Sequence, residues 1–229
     1  MKNIKILTLT FLVLIAAVIF AACSPDNVQA QRTVQVLILP SRLDPAMSND
    51  EISDYINAKI HSTLVNICDE TSQPMPALAI MWDKPDERTI TMMLRRDALF
   101  HNGDTLTAYD AAFSLMRGGA VLPGEIFGAI EHVKVHNDLN FTIYLSENSQ
   151  YSQVVFMTHL ASPNAAVLPR GHMLAVGEDA FAAEPVGAGA YVFEYLTAGE
   201  RVSLVRNPNY WGESPYYERI VFKIGPNGS

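Results

Sequence analysis

The sequence predicts a mixed α/β fold of the α+β kind. Three observations carry that expectation. Short runs place apolar residues two apart, other runs place them three or four apart, and the two kinds alternate along the chain. Hydrophobic residues make up 49% of the 229, enough for a sizeable core. The formal net charge of -8 argues against a nucleic-acid partner, because an acidic surface repels phosphates.

The elements follow in order. Residues 34–39 read as a buried strand, closed by Pro40 and then by Asp44-Pro45. Over 50–65, Ile52, Tyr55, Ile56, Ile60 and Leu64 form the apolar stripe of an amphipathic helix. Asn49 or Asp50 would cap it, and Asp50, Glu51 and Asp54 put negative charge at its positive end. Ile90, Met92 and Leu94 alternate in a half-buried strand over 89–94, with Asp86-Glu87 as the turn before it. The turn after it is His101-Asn102-Gly103-Asp104, which His101 is expected to cap. Thr107-x-x-Asp110 resembles a capping box and opens a helix over 108–116 that should stop near Gly118-Gly119. His132-Val133-Lys134-Val135 and the run 140–145 flank Asn137-Asp138 as a hairpin, and a helix follows around 151–159. Strands over 190–195, 202–205 and 220–224 complete the chain, with Asn207-Pro208-Asn209-Tyr210-Trp211-Gly212 as an aromatic turn between the last two. There is no internal repeat or low-complexity tract.

The first residues carry a separate message. Lys2 and Lys5 precede an uncharged run over 6–22, the pattern of a secretory signal peptide spanning 1–22. The alternative is an uncleaved membrane anchor, since about 17 apolar residues is near the lower limit for a span. Ala21-Ala22-Cys23-Ser24 resembles the lipobox of bacterial lipoproteins, with Phe20 where Leu is usual. Cys23 is therefore the expected lipidation site, followed by a polar tether over 23–32. Cys68 would then have no partner for an intramolecular disulfide, and its apolar neighbours suggest a small filler near an element's end.

Signatures of catalysis are missing. The sequence holds no Gly-x-Ser-x-Gly elbow, no P-loop and no His-Glu-x-x-His. Gly187-Ala188-Gly189 lacks the third glycine of a dinucleotide loop and opens into a strand. His132 and His136 would meet one metal on a helix, but the hairpin places them on a strand. No catalytic residue, metal site or cofactor is expected, and the chain is read as a non-enzyme.

With the segments placed, the chain resembles the extracellular solute-binding proteins of family 5, the oligopeptide, dipeptide and nickel-binding group. Five segments carry the resemblance in order. They are Leu43-Asp44-Pro45; Pro76-Ala77-Leu78-Ala79 with Trp82; the run 94–110 with its Phe100-His101-Asn102-Gly103-Asp104 centre; Pro185-Val186-Gly187-Ala188-Gly189-Ala190-Tyr191; and Arg206-Asn207-Pro208-Asn209-Tyr210-Trp211. The chain departs from the family at Ile60-His61-Ser62-Thr63-Leu64, where Tyr-Glu-Gly-Leu is usual, and at Ala188 and Ala190, which replace Thr and Pro.

The resemblance implies a periplasmic-binding-protein type II-like fold. It further implies an N-terminal lobe over 33–61 and 170–229, an inserted subdomain over 62–169, and a second lobe missing beyond Ser229. Backbone groups at Asn49, Asp50 and Glu51 would contact a small peptide or similar solute. The other implied partners are ABC permease subunits and the cell membrane, reached through the lipid anchor on the extracytoplasmic (periplasmic or cell-surface) side, with the protein a monomer. The implied function is capture of a solute, most simply a peptide, for an ABC-type importer. The competing expectation is a truncated single-lobe lipoprotein that serves as a structural or interaction module without a transport role.

Overall fold

The computed structural model describes residues 30–40, 42–48, 50–121, 126–147 and 152–225. The chain divides into Met1–Ala30 and Gln31–Ser229, and every element below belongs to the second part. The expected signal peptide and Cys23 lie outside the described residues.

Strand β1 (Gln31–Val36) opens a four-stranded sheet that the end of the chain completes: β8 (Tyr191–Thr197), β9 (Arg201–Arg206) and β10 (Arg219–Ile224), in the order β1-β10-β9-β8. β1 runs parallel to β10, from Gln31 opposite Arg219 to Val36 opposite Ile224; the other two pairings are antiparallel. Helix α1 (Glu51–Ile60) covers this sheet with Ile56 and Ile60, which join Val36, Val202, Leu204, Ile220 and Phe222 in one core. Burying such side chains contributes roughly 1.5–3 kcal/mol each.

A second sheet is antiparallel throughout. Its strands β4 (Ala79–Asp86), β5 (Thr89–Leu94), β6 (Ile130–Val135) and β7 (Asn140–Leu145) take the order β4-β5-β7-β6. Ile90, Met92 and Leu94 point inward as the alternation predicts, meeting Phe141, Ile143 and Leu145 from β7. Helix α2 (Ala108–Val121) adds Ala111 and Leu115 to this core, and α3 (Gln153–His159) adds Phe156. A short ladder, β2 (Val65–Ile67) against β3 (Pro74–Pro76), lies between α1 and β4 in sequence. Helices α4 (Arg170–Val176) and α5 (Glu178–Ala183) precede β8.

Several expectations change on inspection. The first strand is not buried: it sits at a sheet edge, only Val36 of its six residues is buried, and Leu37 and Ile38 are 71% and 66% exposed. The α1 stripe does not reach Leu64, because His61 turns the backbone to extended φ and ψ and ends the helix; Leu64 instead fills the core of the second sheet. Helix α2 does not stop at Gly118-Gly119 but runs through both. A Cβ on Gly119 would lie 2.8 Å from the Phe127 carbonyl oxygen, so this glycine permits a close approach and does not mark an end. β4, β2, β3, α4 and α5 carry too little periodicity to be foreseen, and β4 is an edge strand with most of its residues exposed. Cys68, half-buried just past β2, is held below the usual thiol range by hydrogen bonds with Thr71.

Candidate functional site

The C-terminal end of β1 opens onto a cleft of about 460 Å³, lined by residues from 38–40, 42–48 and 50–53. Its walls are set by local rules. Asp44 caps the 3-10 turn Pro45–Met47, accepting from Ala46 N at 3.1 Å, with Pro45 placed where no N–H is needed. Asp50 caps α1, its Oδ1 accepting from Ile52 N at 3.0 Å and Ser53 N at 2.9 Å. The Ser53 hydroxyl also donates to Asp50, and this bond, with the two backbone bonds, holds the Asp50 carboxyl below its usual range.

Asp44 is committed twice over. Arg117 grips it in a fork, Nη2 to Oδ2 at 2.6 Å and Nη1 to Oδ1 at 3.1 Å, with both side chains buried. Both acids of the cleft are thus engaged by the protein itself, and Arg42 pairs with Asp179 at 2.8 Å on the exposed rim. What remains is backbone and the apolar surface of Ile38, Leu39, Pro40 and Met47. These groups can hold a solute by main-chain hydrogen bonds and apolar contact.

Of the residues expected to contact ligand, Asp50 lines the cleft, Glu51 stands exposed as the first residue of α1, and Asn49 lies outside the described residues. Asp50 caps the helix with its side chain, as one of the two sequence expectations had it. Arg117 was not foreseen. Its only signal was a cation in the otherwise apolar and small run Ser114-Leu115-Met116-Arg117-Gly118.

The motif residues converge elsewhere, on the loop 187–189. His101 does not cap its own turn: its N–H donates to Gly187 O at 2.8 Å, Nδ1 accepts from Gly187 N at 3.2 Å, and Nε2 lies 3.1 Å from Gly189 O. Those partners assign the proton to Nε2. Ser62 Oγ and Trp211 Nε1 both donate to Ala188 O, at 2.9 and 3.1 Å, and Asn207 Nδ2 donates to Gly189 O at 2.9 Å. Arg95 stacks on Trp211, 4.2 Å from the ring centroid. A Cβ at Gly187 would fall 2.0 Å from Ile60 O, so only glycine passes the end of α1 here. Burial lowers the His101 pKa to about 4 and that of His61 beside it to about 3. This knot is scaffold.

His132 and His136 part company on the hairpin, His132 stacking on Tyr144 and His136 lying 2.8 Å from the Thr142 hydroxyl. Among the described residues no group of three His, Cys, Asp or Glu is placed to hold a metal, and no helix is long and apolar enough to cross a membrane.

The mixed α/β fold, with this cleft at a strand end, has relatives among known solute-binding proteins. The chain belongs to the family described as bacterial extracellular solute-binding proteins, family 5 Middle, whose model matches residues 73–229. It is similar to the periplasmic oligopeptide-binding protein OppA of Escherichia coli K12, 28% identical over 170 residues, which cover 65% of this chain and 31% of that one. It is also similar to the nickel-binding periplasmic protein of the same organism, 27% identical over 231 residues, covering 96% of this chain and 41% of the relative. The fold matches that of the dipeptide-binding protein from Pseudoalteromonas sp. SM9913 in complex with Met-Leu, with a TM-score of 0.77 and 21% identity over 86% of this chain and 44% of that one. The chain therefore spans about a third to under half the length of these relatives.

Proposed function

We propose that this chain contributes one lobe of an extracytoplasmic binding protein that captures a small peptide and passes it to an ABC-type permease. The observation that carries the reading is the 38–53 cleft. Its carboxylates are already engaged and its remaining surface is backbone and apolar, which suits an extended chain held by strand-like pairing. The names of the peptide- and dipeptide-binding relatives support the same solute class. Asp50 and Glu51 contribute main-chain groups to the solute, and Asn49, outside the described residues, is assigned the same role from the family resemblance. The lobe comprises 33–61 and 170–229 and the inserted subdomain 62–169, in keeping with the two separate sheets and their separate cores. Cys23 carries the lipid that keeps the protein at the membrane.

The test is a titration of the full chain with the dipeptide Met-Leu, followed by backbone amide NMR shifts. Saturable shifts should appear at 38–48 and 50–53 and nowhere in the β4-β5-β7-β6 sheet. Absence of any saturable response at millimolar dipeptide would remove the peptide reading, and would favour the alternative of an interaction module.

A further inference from the structure

A cleft that recognises main chain needs its own main chain held still, because each wall residue that must be ordered on binding subtracts from affinity. The cleft wall over 43–48 is a short loop around one turn of 3-10 helix, and its few internal bonds would not hold it alone. Part of its restraint comes from a guanidinium. Arg117, on α2, gives two donors to the buried Asp44 and a third, Nε, to Glu178 Oε1 at 3.1 Å. It thereby joins the loop to α2 and to the start of α5. Helix α5 holds the loop again where Leu43 N donates to Ala182 O at 2.8 Å. Burial works against the charge of Arg117, but the bonds and charges of Asp44 and then Glu178 outweigh it and raise the pKa, so the cation persists. Arg117 itself is buried and absent from the cleft lining, so it would not touch a solute.

We propose that Arg117 is the positioning residue of the 38–53 cleft, fixing the 43–48 backbone in its binding geometry through Asp44. The proposal rests on the reading of that cleft as the solute site. Lysine keeps the charge but cannot form the planar two-point fork. Glutamine at 178 removes only the outer partner, whose side chain is 62% exposed.

The test compares the full chain with its Arg117→Lys and Glu178→Gln variants by amide hydrogen exchange. In Arg117→Lys, exchange at Leu43, Ala46, Met47 and Ser48 should accelerate about tenfold, the loss of roughly one charge-assisted bond. Sheet amides such as Leu204 and Ile143 should keep their rates. Glu178→Gln should accelerate the same four amides about two- to threefold. Unchanged loop exchange in both variants overturns the proposal. So does acceleration spread over the whole chain, which would make Arg117 an ordinary fold contact. Met-Leu titration of the same samples supplies the second readout, with affinity expected to fall about tenfold in Arg117→Lys. Equal affinity in wild type and Arg117→Lys overturns the positioning role. If the wild type binds no dipeptide, the solute reading fails, and the exchange pattern alone decides whether Arg117 sets the loop.

Discussion

Among single residues, His61 stands out for its unmet chemistry. It is buried at the end of α1, neither ring nitrogen has a hydrogen-bond partner among the described residues, and Asn57 one turn earlier is buried with its amide equally unpaired. A buried polar group without a partner costs about 1–3 kcal/mol, whereas an apolar group of similar shape avoids that cost. His61→Phe is therefore expected to leave stability at pH 7 unchanged or raise it by up to about 2 kcal/mol, read from the urea midpoint. The same site gives a pH dependence. Both His61 and His101 titrate lower folded than unfolded, at about 3 and about 4 against 6.5. Below pH 6.5 the unfolded chain then binds more protons, so stability is full above that value and falls as pH drops toward 4 and then 3. Each histidine adds at most about 1.4 kcal/mol per pH unit to that slope. Urea midpoints from pH 7 to pH 4 should fall in the wild type and fall less steeply in His61→Phe. A flat wild-type profile would contradict the burial of both rings. None of this was legible in the sequence, where His61 stood out only as part of the segment that departs from the family pattern. Its burial comes from Phe181 and Gly187, both more than a hundred residues away.

At the level of elements, legibility follows how local the cause is. The capping of α1 by Asp50, the inward alternation of β5 and the β6–β7 hairpin depend on neighbours a few residues apart, and all three were readable. The Asp110 carboxylate reaching back to the Thr107 N–H at 2.9 Å is another such local device. The end of α2 was misread because two glycines look like a stop until the 3-10 turn Ile126–Ala129 is seen packed against them. That packing separates the two glycines energetically. At Gly118 a Cβ would sit 3.6 Å from the Phe127 ring, an ordinary contact, while at Gly119 it would press on backbone at 2.8 Å. Gly118→Ala should thus stabilise by up to about 1 kcal/mol through helix propensity. Gly119→Ala should lose about 1–3 kcal/mol to overpacking despite the same propensity gain. Thermal unfolding of the two variants side by side checks this, and equal shifts would mean that α2 does not pack on Phe127 as described.

Over the whole molecule the cleft was legible only in part, because its lining residues all fall within 38–53 while the contacts from Arg117 and Ala182 that hold its loop lie far along the chain. The Leu-Asp-Pro segment pointed to the right loop, yet its aspartate serves the loop's anchorage to Arg117 and the binding surface is what that anchorage leaves free. The proposed attachment to a membrane was read entirely from residues 1–24 and rests on chemistry at Cys23. The sequence offers two routes of attachment, acyl chains on Cys23 or an uncleaved apolar segment over 6–22. These differ in a measurable way. Each buried CH2 contributes about 0.8 kcal/mol, so two or more acyl chains on one cysteine anchor firmly after the leader is removed, whereas an uncleaved leader needs no cysteine at all. Cells grown with an alkyne analogue of palmitate should label the wild-type protein, and its mass should show that residues 1–22 are gone. Cys23→Ser should abolish the label and retain the leader. Equal membrane retention without label in both forms would assign the anchor to the apolar segment over 6–22 and exclude lipidation at Cys23.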